Sequence, residues 1–366
     1  MATAKAWTFT ARGKPADVLK FTDVPMPTLP PPLPLPKAAP NPEEWVRIKV
    51  ACTALNPGSQ FHMGIIPLFM RAALATPEME LSGVVDDVWA PDADKNPTRL
   101  NKGDEVVAFI PFGYMLPTGV GALSSCVTIP AKFVVRKPIN ASMEQAAGLL
   151  QVAGVALKQV ELADLKRGDR ALVYGASGGI GTMTLQMVKK IVGPEGVVVA
   201  GCSGRNADFV KSLGADEVVD YQKTKSISNQ LATLYGSHPF DAILDCHGSQ
   251  EVYNHCAKYL KPDGNYASAG GVKIENWNLS TFFGTAWKIL LNMIWPTSTW
   301  LGGTGRKLKS LTVMDYTIEE KMKLVKMHEG GDIRVEIDSV WPAEDALKGY
   351  EILTAARARG KIIIRW

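Results

Sequence analysis

Residues 170–181 read Arg170-Ala-Leu-Val-Tyr-Gly-Ala-Ser-Gly-Gly-Ile-Gly181. An apolar strand runs into a tight glycine-rich turn, and the turn opens a helix. Ala176, Gly178 and Gly181 match the dinucleotide-binding pattern, with alanine in the first glycine place, and Ser177, Gly179 and Ile180 complete the turn. Small residues let the backbone touch a pyrophosphate, and the helix N-terminus offers that anion unpaired N–H groups and a positive dipole end. A glycine-rich match alone is weak, but a strand before it and an amphipathic helix after it supply the confirming context. Ile180, Met183, Met187, Val188 and Ile191 form the apolar stripe of that helix.

The next strand, Gly196-Val-Val-Val-Ala200, ends in Gly-Cys-Ser-Gly-Arg205. A site for NAD would carry an acid near this tip, to bind the ribose 2′-hydroxyl. Ser203 and Arg205 stand there instead, a hydroxyl and a fork-shaped cation suited to a 2′-phosphate. Arg205 alone reads equally well as a solvated residue at a helix start. The missing acid and the present base together favour NADP(H).

Outward from this core the chain alternates strand and helix. Strand Ala171–Tyr174, its helix and strand Val197–Ala200 are followed by helix Asn206–Leu213, which Gly214 stops. Strand Glu217–Val219, a polar helix near Ser226–Tyr235, strand Ala242–Asp245, helix Gln250–Leu260 and strand Asn265–Ala269 complete an α/β, doubly wound parallel sheet. The N-terminal part is β-rich, with runs such as Trp45–Ala51 and Glu105–Phe109 between turn residues. Nine prolines between Pro25 and Pro42 exclude helix and inner strand, and predict an extended surface connection. After Thr312 come helices near Ile318–Glu329 and Ala343–Ala355 and a last strand, Lys361–Trp366, able to rejoin the N-terminal part.

A chain of 366 residues suits two domains, and its 46% hydrophobic content is enough for a large core. A net charge of +4 is too small to argue for nucleic acid or an anionic membrane. Five scattered cysteines without a CxxC read as reduced thiols, and the N-terminus lacks a signal-peptide pattern, so a cytoplasmic location is expected. Thr281–Leu301 is apolar and rich in tryptophan, but Lys288, Asn292 and Pro296 interrupt it. It reads as a buried helix beside a ligand pocket, with peripheral membrane contact as the minor alternative.

Short motifs in a specific order run nearly end to end: Ala54-Leu-Asn-Pro57, Lys102-Gly-Asp-Glu-Val106, Glu144-Gln-Ala-Ala147, Leu213-Gly-Ala-Asp216, Phe240–Asp245, Leu260-Lys-Pro-Asp-Gly264, Trp300-Leu-Gly-Gly303 and Ala358-Arg-Gly-Lys-Ile362. With them the chain resembles the zinc-independent medium-chain dehydrogenase/reductase proteins of quinone oxidoreductase and enoyl reductase type, fungal members above all, some of which serve polyketide assembly. The resemblance implies a GroES-like β-rich catalytic domain, residues 1–136 and 329–366, around a Rossmann NADP-binding domain, residues 137–328. It places NADPH in a cleft, Tyr221 beside the adenosine 2′-phosphate and Asn56 beside the nicotinamide. The substrate it implies is a small apolar enone or quinone-like molecule, free or carrier-bound, on a monomer or homodimer.

Two departures concern the substrate pocket. Ser59 stands where the family has an acid after Asn-Pro, and Met79-Glu-Leu-Ser-Gly83 replaces a Gly-x-Asp-Phe-x-Gly run. No His or Cys pair has metal-ligand spacing, so no metal is expected, and His62 is the one histidine in the Asn-Pro segment. Without a metal, hydrogen bonds must hold the oxyanion that develops when an enone accepts hydride. The Asn56 amide is the candidate donor, although it also suits a purely turn-closing role, and Tyr114, read as a loop residue, is the candidate proton source. Ser177 suits phosphate contact and not nucleophilic attack. A non-redox scaffold, or a cyclase-like protein, that binds a metabolite in the same cleft is the rival reading, kept alive by Ser59.

Overall fold

A computed structural model describes residues 2–29, 44–91, 99–269, 299–311 and 315–366, with single helical positions between 280 and 291. Most of the proline-rich run and of Thr281–Leu301 lies outside the described residues. The chain divides into two units, Met1–Gln151 with Met314–Gly331 and Ile337–Trp366, and Val152–Val313 with Asp332–Glu336.

In the first unit, β1 (Thr3–Thr8) and β2 (Lys20–Pro25) form an antiparallel pair. Strand β3 (Trp45–Leu55) is long because it serves two neighbours in turn on one edge. Its first half pairs with β6 (Cys126–Pro130), and its second half, from Cys52, pairs with β15 (Lys361–Arg365). Strands β4 (Glu80–Trp89), β5 (Glu105–Phe109) and β7 (Val134–Arg136) continue the sheet from its other edge. Beyond β15 lies β14 (Ile337–Pro342), parallel to it. The chain end therefore does rejoin the N-terminal part. Ile362 and Ile364 of β15 pack with Leu55 and Tyr350, while Ile363 faces the other way, onto Cys52 and Ala147. A strand buried on both faces is apolar at every inner position, as here.

In the second unit, β8 (Arg170–Tyr174), β9 (Val197–Cys202), β10 (Glu217–Asp220), β11 (Phe240–Asp245), β12 (Leu260–Ser268) and β13 (Leu308–Ser310) lie in the order β10-β9-β8-β11-β12-β13. Every pairing is parallel. The helix expected over Gln250–Leu260 stops at Asn254, a short 3₁₀ turn follows, and β12 begins at Leu260. Phe240 pairs with Leu260 but Ala242 pairs with Asn265, so Lys261–Gly264 bulge from the ladder. Pro262 lies in this bulge, where its missing N–H takes nothing from the ladder.

The boundary between units falls later than the motifs suggest, at Gln151 and not at residue 136. Residues 137–151 are tied to β4: Ser82 donates to the Met143 carbonyl at 2.6 Å, and the Gln151 N–H donates to Glu80 Oε2 at 2.9 Å. Helix Ile318–Glu329 also joins the first unit. Its buried Lys321 donates to the Lys132 carbonyl at 3.1 Å, and Asn140 reaches the His328 and Glu329 carbonyls. Ile364→Ala is expected to cost about 2–5 kcal/mol, read as a lower urea midpoint for the first unit's transition. An unshifted midpoint would show that β15 is not part of its core.

Candidate functional site

The second unit builds a nucleotide cradle at the C-terminal ends of its strands. After β8 the backbone turns at Gly175 (φ +80°), and Gly178 caps the helix Gly179–Val192. A Cβ on Gly181 would lie 2.2 Å from the Gly175 carbonyl oxygen, so close packing of turn on helix demands glycine there. Gly178 differs: a Cβ there would meet nothing nearer than 3.6 Å. The protein itself does not need that glycine, whereas a pyrophosphate lying against the turn would. The residues present fit a dinucleotide. Ala176 is fully buried, and Ile180 and Ile191, at the two ends of the expected stripe, are less buried than Met183, Met187 and Val188.

The next two loops meet this turn. Ser203 is buried after β9, Arg205 is exposed, and Asn206 donates to Ser177 Oγ at 2.9 Å, tying the two loops together. Tyr221, after β10, is 39% exposed, with its ring 6.2 Å from that of Tyr174. Asp220 lies against Gly204, where a Cβ would come within 2.3 Å of Oδ2. On the other side of β8, Asp245 accepts the N–H groups of His247, Gly248 and Ser249 at 2.9, 2.8 and 2.6 Å, and the Tyr266 hydroxyl at 2.7 Å. This fixes the loop after β11 close to Gly175, where His247 Cβ is 3.2 Å from a would-be Cβ. The chain moves from β8 to β9 and β10 in one direction and places β11 on the other side, so β8/β11 is the switch point where doubly wound sheets bind ligands. Asn206 was not singled out by sequence, because its role depends on a loop 29 residues away, whereas Asp245 caps the loop that directly follows it and meets Tyr266.

In the first unit the two expected catalytic side chains, Asn56 and Tyr114, are buried. Asn56 is 1% exposed. Its Nδ2 faces the Ala54 carbonyl at 3.0 Å, Glu80 Oε1 at 3.2 Å and Glu78 Oε2 at 3.4 Å. Its Oδ1 accepts from Lys361 Nζ at 2.5 Å. With two amide protons and three acceptors, no donor remains for a substrate oxyanion. Tyr114 lies in helix Phe112–Thr118, not in a loop, and is buried edge-on against Phe133 at 5.2 Å. Burial pushes its phenol well above the ordinary value.

Around Asn56 lies a fully buried polar cluster. Lys361 Nζ pairs with Glu80 Oε1 at 2.6 Å. Glu78 accepts the Asn56 backbone N–H at 3.0 Å and the Tyr350 hydroxyl at 2.6 Å. Desolvation outweighs these partners and raises the Glu78 carboxyl to about 7. His62 is fully buried between the rings of Phe9, at 5.0 Å, and Phe112, at 6.0 Å. Among the described residues neither of its ring nitrogens has a hydrogen-bond partner. Burial, with the nearby Arg71 charge, lowers it to about 4, so it is a neutral ring in an aromatic cluster.

Among the described residues no group of three or more His, Cys, Asp or Glu side chains could hold a metal, and no helix is long and apolar enough to cross a membrane. Residues 179–295 match the family model of zinc-binding dehydrogenases. A medium chain reductase of Acremonium sp is 32% identical over 99% of this chain and 99% of its own. A trans-enoyl reductase of Penicillium oxalicum is 29% identical over 99% of this chain and 98% of its own. The structure of the quinone oxidoreductase from Coxiella burnetii superposes with a TM-score of 0.75 at 24% identity, covering all of both chains. The chain belongs to the medium-chain dehydrogenase/reductase family. It is an oxidoreductase of that family, whose members use a nicotinamide cofactor.

Two outcomes follow from this site. Asn56→Ala leaves Lys361, Glu80 and the Ala54 carbonyl short of partners, and is expected to destabilise the first unit by about 1–3 kcal/mol, measured by denaturant unfolding. Full stability would mean that solvent reaches the cluster. For His62, a folded value of about 4 against 6.5 means that the native state excludes a proton the unfolded chain takes up. The stability is complete above pH 6.5 and falls as the pH drops towards 4. His62→Leu should flatten that part of the melting-temperature profile, and an unchanged slope would show that the ring is protonated in the fold.

Proposed function

We propose that the chain is an NADPH-dependent reductase of activated C=C bonds, in an enone, enoyl thioester or quinone, acting by hydride transfer without a metal. The observation that carries the cofactor choice is the pair of loops after β9 and β10. Ser203, Arg205 and Tyr221 stand there and the β9 tip has no acid, so a 2′-phosphate meets the exposed Arg205 cation and the part-exposed Tyr221 ring; Ser203 is buried, and Asp220 lies against Gly204. The names of the medium chain and trans-enoyl reductases it resembles support alkene reduction.

The helix N-terminus at Gly179–Gly181 is the pyrophosphate site, and the Asn206–Ser177 bond keeps the turn and the 2′-phosphate loop in register. Bound NADPH supplies the hydride. The large apolar substrate is inferred from the aromatic content of Trp277–Trp300; its described side chains Phe283, Trp287 and Trp300 are exposed and not buried as the sequence predicts, and most of the segment lies outside the described residues. Metal independence is supported by ligand spacing, since no His or Cys pair in the sequence has the spacing of a zinc site.

The direct test is steady NADPH oxidation with a panel of enones and quinones, which should proceed. Absence of turnover with every member would point to a non-redox role for the same fold. NADPH should bind at least about tenfold more tightly than NADH, which is about 1.4 kcal/mol. Arg205→Ala should weaken NADPH far more than NADH, and calorimetry showing equal affinities would defeat the assignment. Turnover should survive strong chelators. Stoichiometric zinc by elemental analysis, lost together with activity, would overturn that reading.

A further inference from the structure

The helix Pro57–Gly64 has Asn56 at its N-cap and Ser59 at its third position. A capping box at such a helix start uses an acid or glutamine at the third position, whose side chain reaches back to the N-cap backbone N–H. Ser59 is too short for that reach. The N–H is nevertheless bonded, by Glu78 Oε2 at 3.0 Å, a carboxylate 22 residues further along the chain.

Glu78 occupies this place under two costs. Its backbone is left-handed (φ +71°), a conformation that favours glycine, and its carboxyl is fully buried. Such a residue persists only where its surroundings over-determine it. The other oxygen, Oε1, accepts the Tyr350 hydroxyl, brought in by helix Ala346–Thr354. Asn56, the residue so held, is clamped from its far side by Lys361 and Glu80.

We propose that Glu78 is a positioning residue, which supplies from outside the helix the carboxylate that Ser59 does not, and thereby sets the Asn56-Pro57 turn for catalysis. The proposal rests on the reductase reading together with the family resemblance, which implies that Asn56 lies beside the nicotinamide. Glu78 does not touch the substrate. It acts through the Asn56 backbone, whose direction fixes the start of the helix bearing Ser59 and Gln60.

The test uses the full chain, NADPH and an enone that the wild type reduces. Glu78→Gly removes the carboxylate and also relieves the left-handed strain. It should lower kcat by between about tenfold and about a hundredfold, the range expected for a small misplacement of a reacting geometry, with NADPH affinity unchanged. Adding Ser59→Asp to Glu78→Gly returns an acid to the third helical position and should recover most of the lost kcat. Glu78→Gln keeps an oxygen acceptor for the Asn56 N–H and should retain most of kcat, which preserves the test if the glycine variant does not fold. A folded Glu78→Gly enzyme with wild-type kcat would overturn the proposal, as would a loss that neither Ser59→Asp nor glutamine restores. A wild type inactive with every enone and quinone overturns the reductase reading itself, and this role with it.

Discussion

The buried ion pair between Lys361 and Glu80, 2.6 Å apart with both side chains under 5% exposed, is the contact on which the first unit depends. It joins the last strand of the chain to β4 across β3, which lies between them in the sheet. Desolvating two charges costs several kcal/mol each, and the mutual attraction offsets this only when the remaining hydrogen-bonding capacity is filled. Here it is filled. Lys361 also meets Asn56 Oδ1 and the Leu55 carbonyl, while Glu80 takes the Gln151 N–H and the Asn56 amide. Removing any one partner would leave the others charged or polar in a dry interior, so the set behaves as a unit.

The cluster also holds the Asn-Pro turn, through the backbone N–H and the side chain of Asn56. Asn56 contributes both amide protons and its oxygen to the network. That hold comes at the cost of a left-handed Glu78 and a carboxyl raised to about 7. Local strain of this kind concentrates where a fold holds a geometry that its local sequence would not choose.

The second unit works by a different principle. Its parallel strands are apolar runs covered on both faces, and their loops gather at one edge of the sheet. Two polar contacts order those loops: Asn206 with Ser177, and Asp245 with three consecutive backbone N–H groups. The glycines divide by purpose. Gly181 is required by packing of the turn on its own helix, whereas a Cβ on Gly178 would make only an ordinary contact, 3.6 Å from the Gly175 carbonyl oxygen.

The sequence by itself determined the elements whose cause is local. The strand, turn and helix over 170–192 follow from an apolar run, small residues and helical periodicity, and the helix Ile318–Glu329 follows from its Thr317–Glu320 capping box. The last strand was legible as one able to rejoin the N-terminal part, where β15 pairs with β3. Tertiary structure alone decided which unit holds helix Ile318–Glu329, since that depends on Lys321 meeting a carbonyl 189 residues away. It alone decided that Asn56 spends its amide inside the fold and that Tyr114 is buried. It also brought Glu78 to the N–H that Ser59 leaves open. These partners lie 22 to 305 residues from Asn56, and they are selected by the need to satisfy buried polar groups together, a constraint that no local period or propensity encodes.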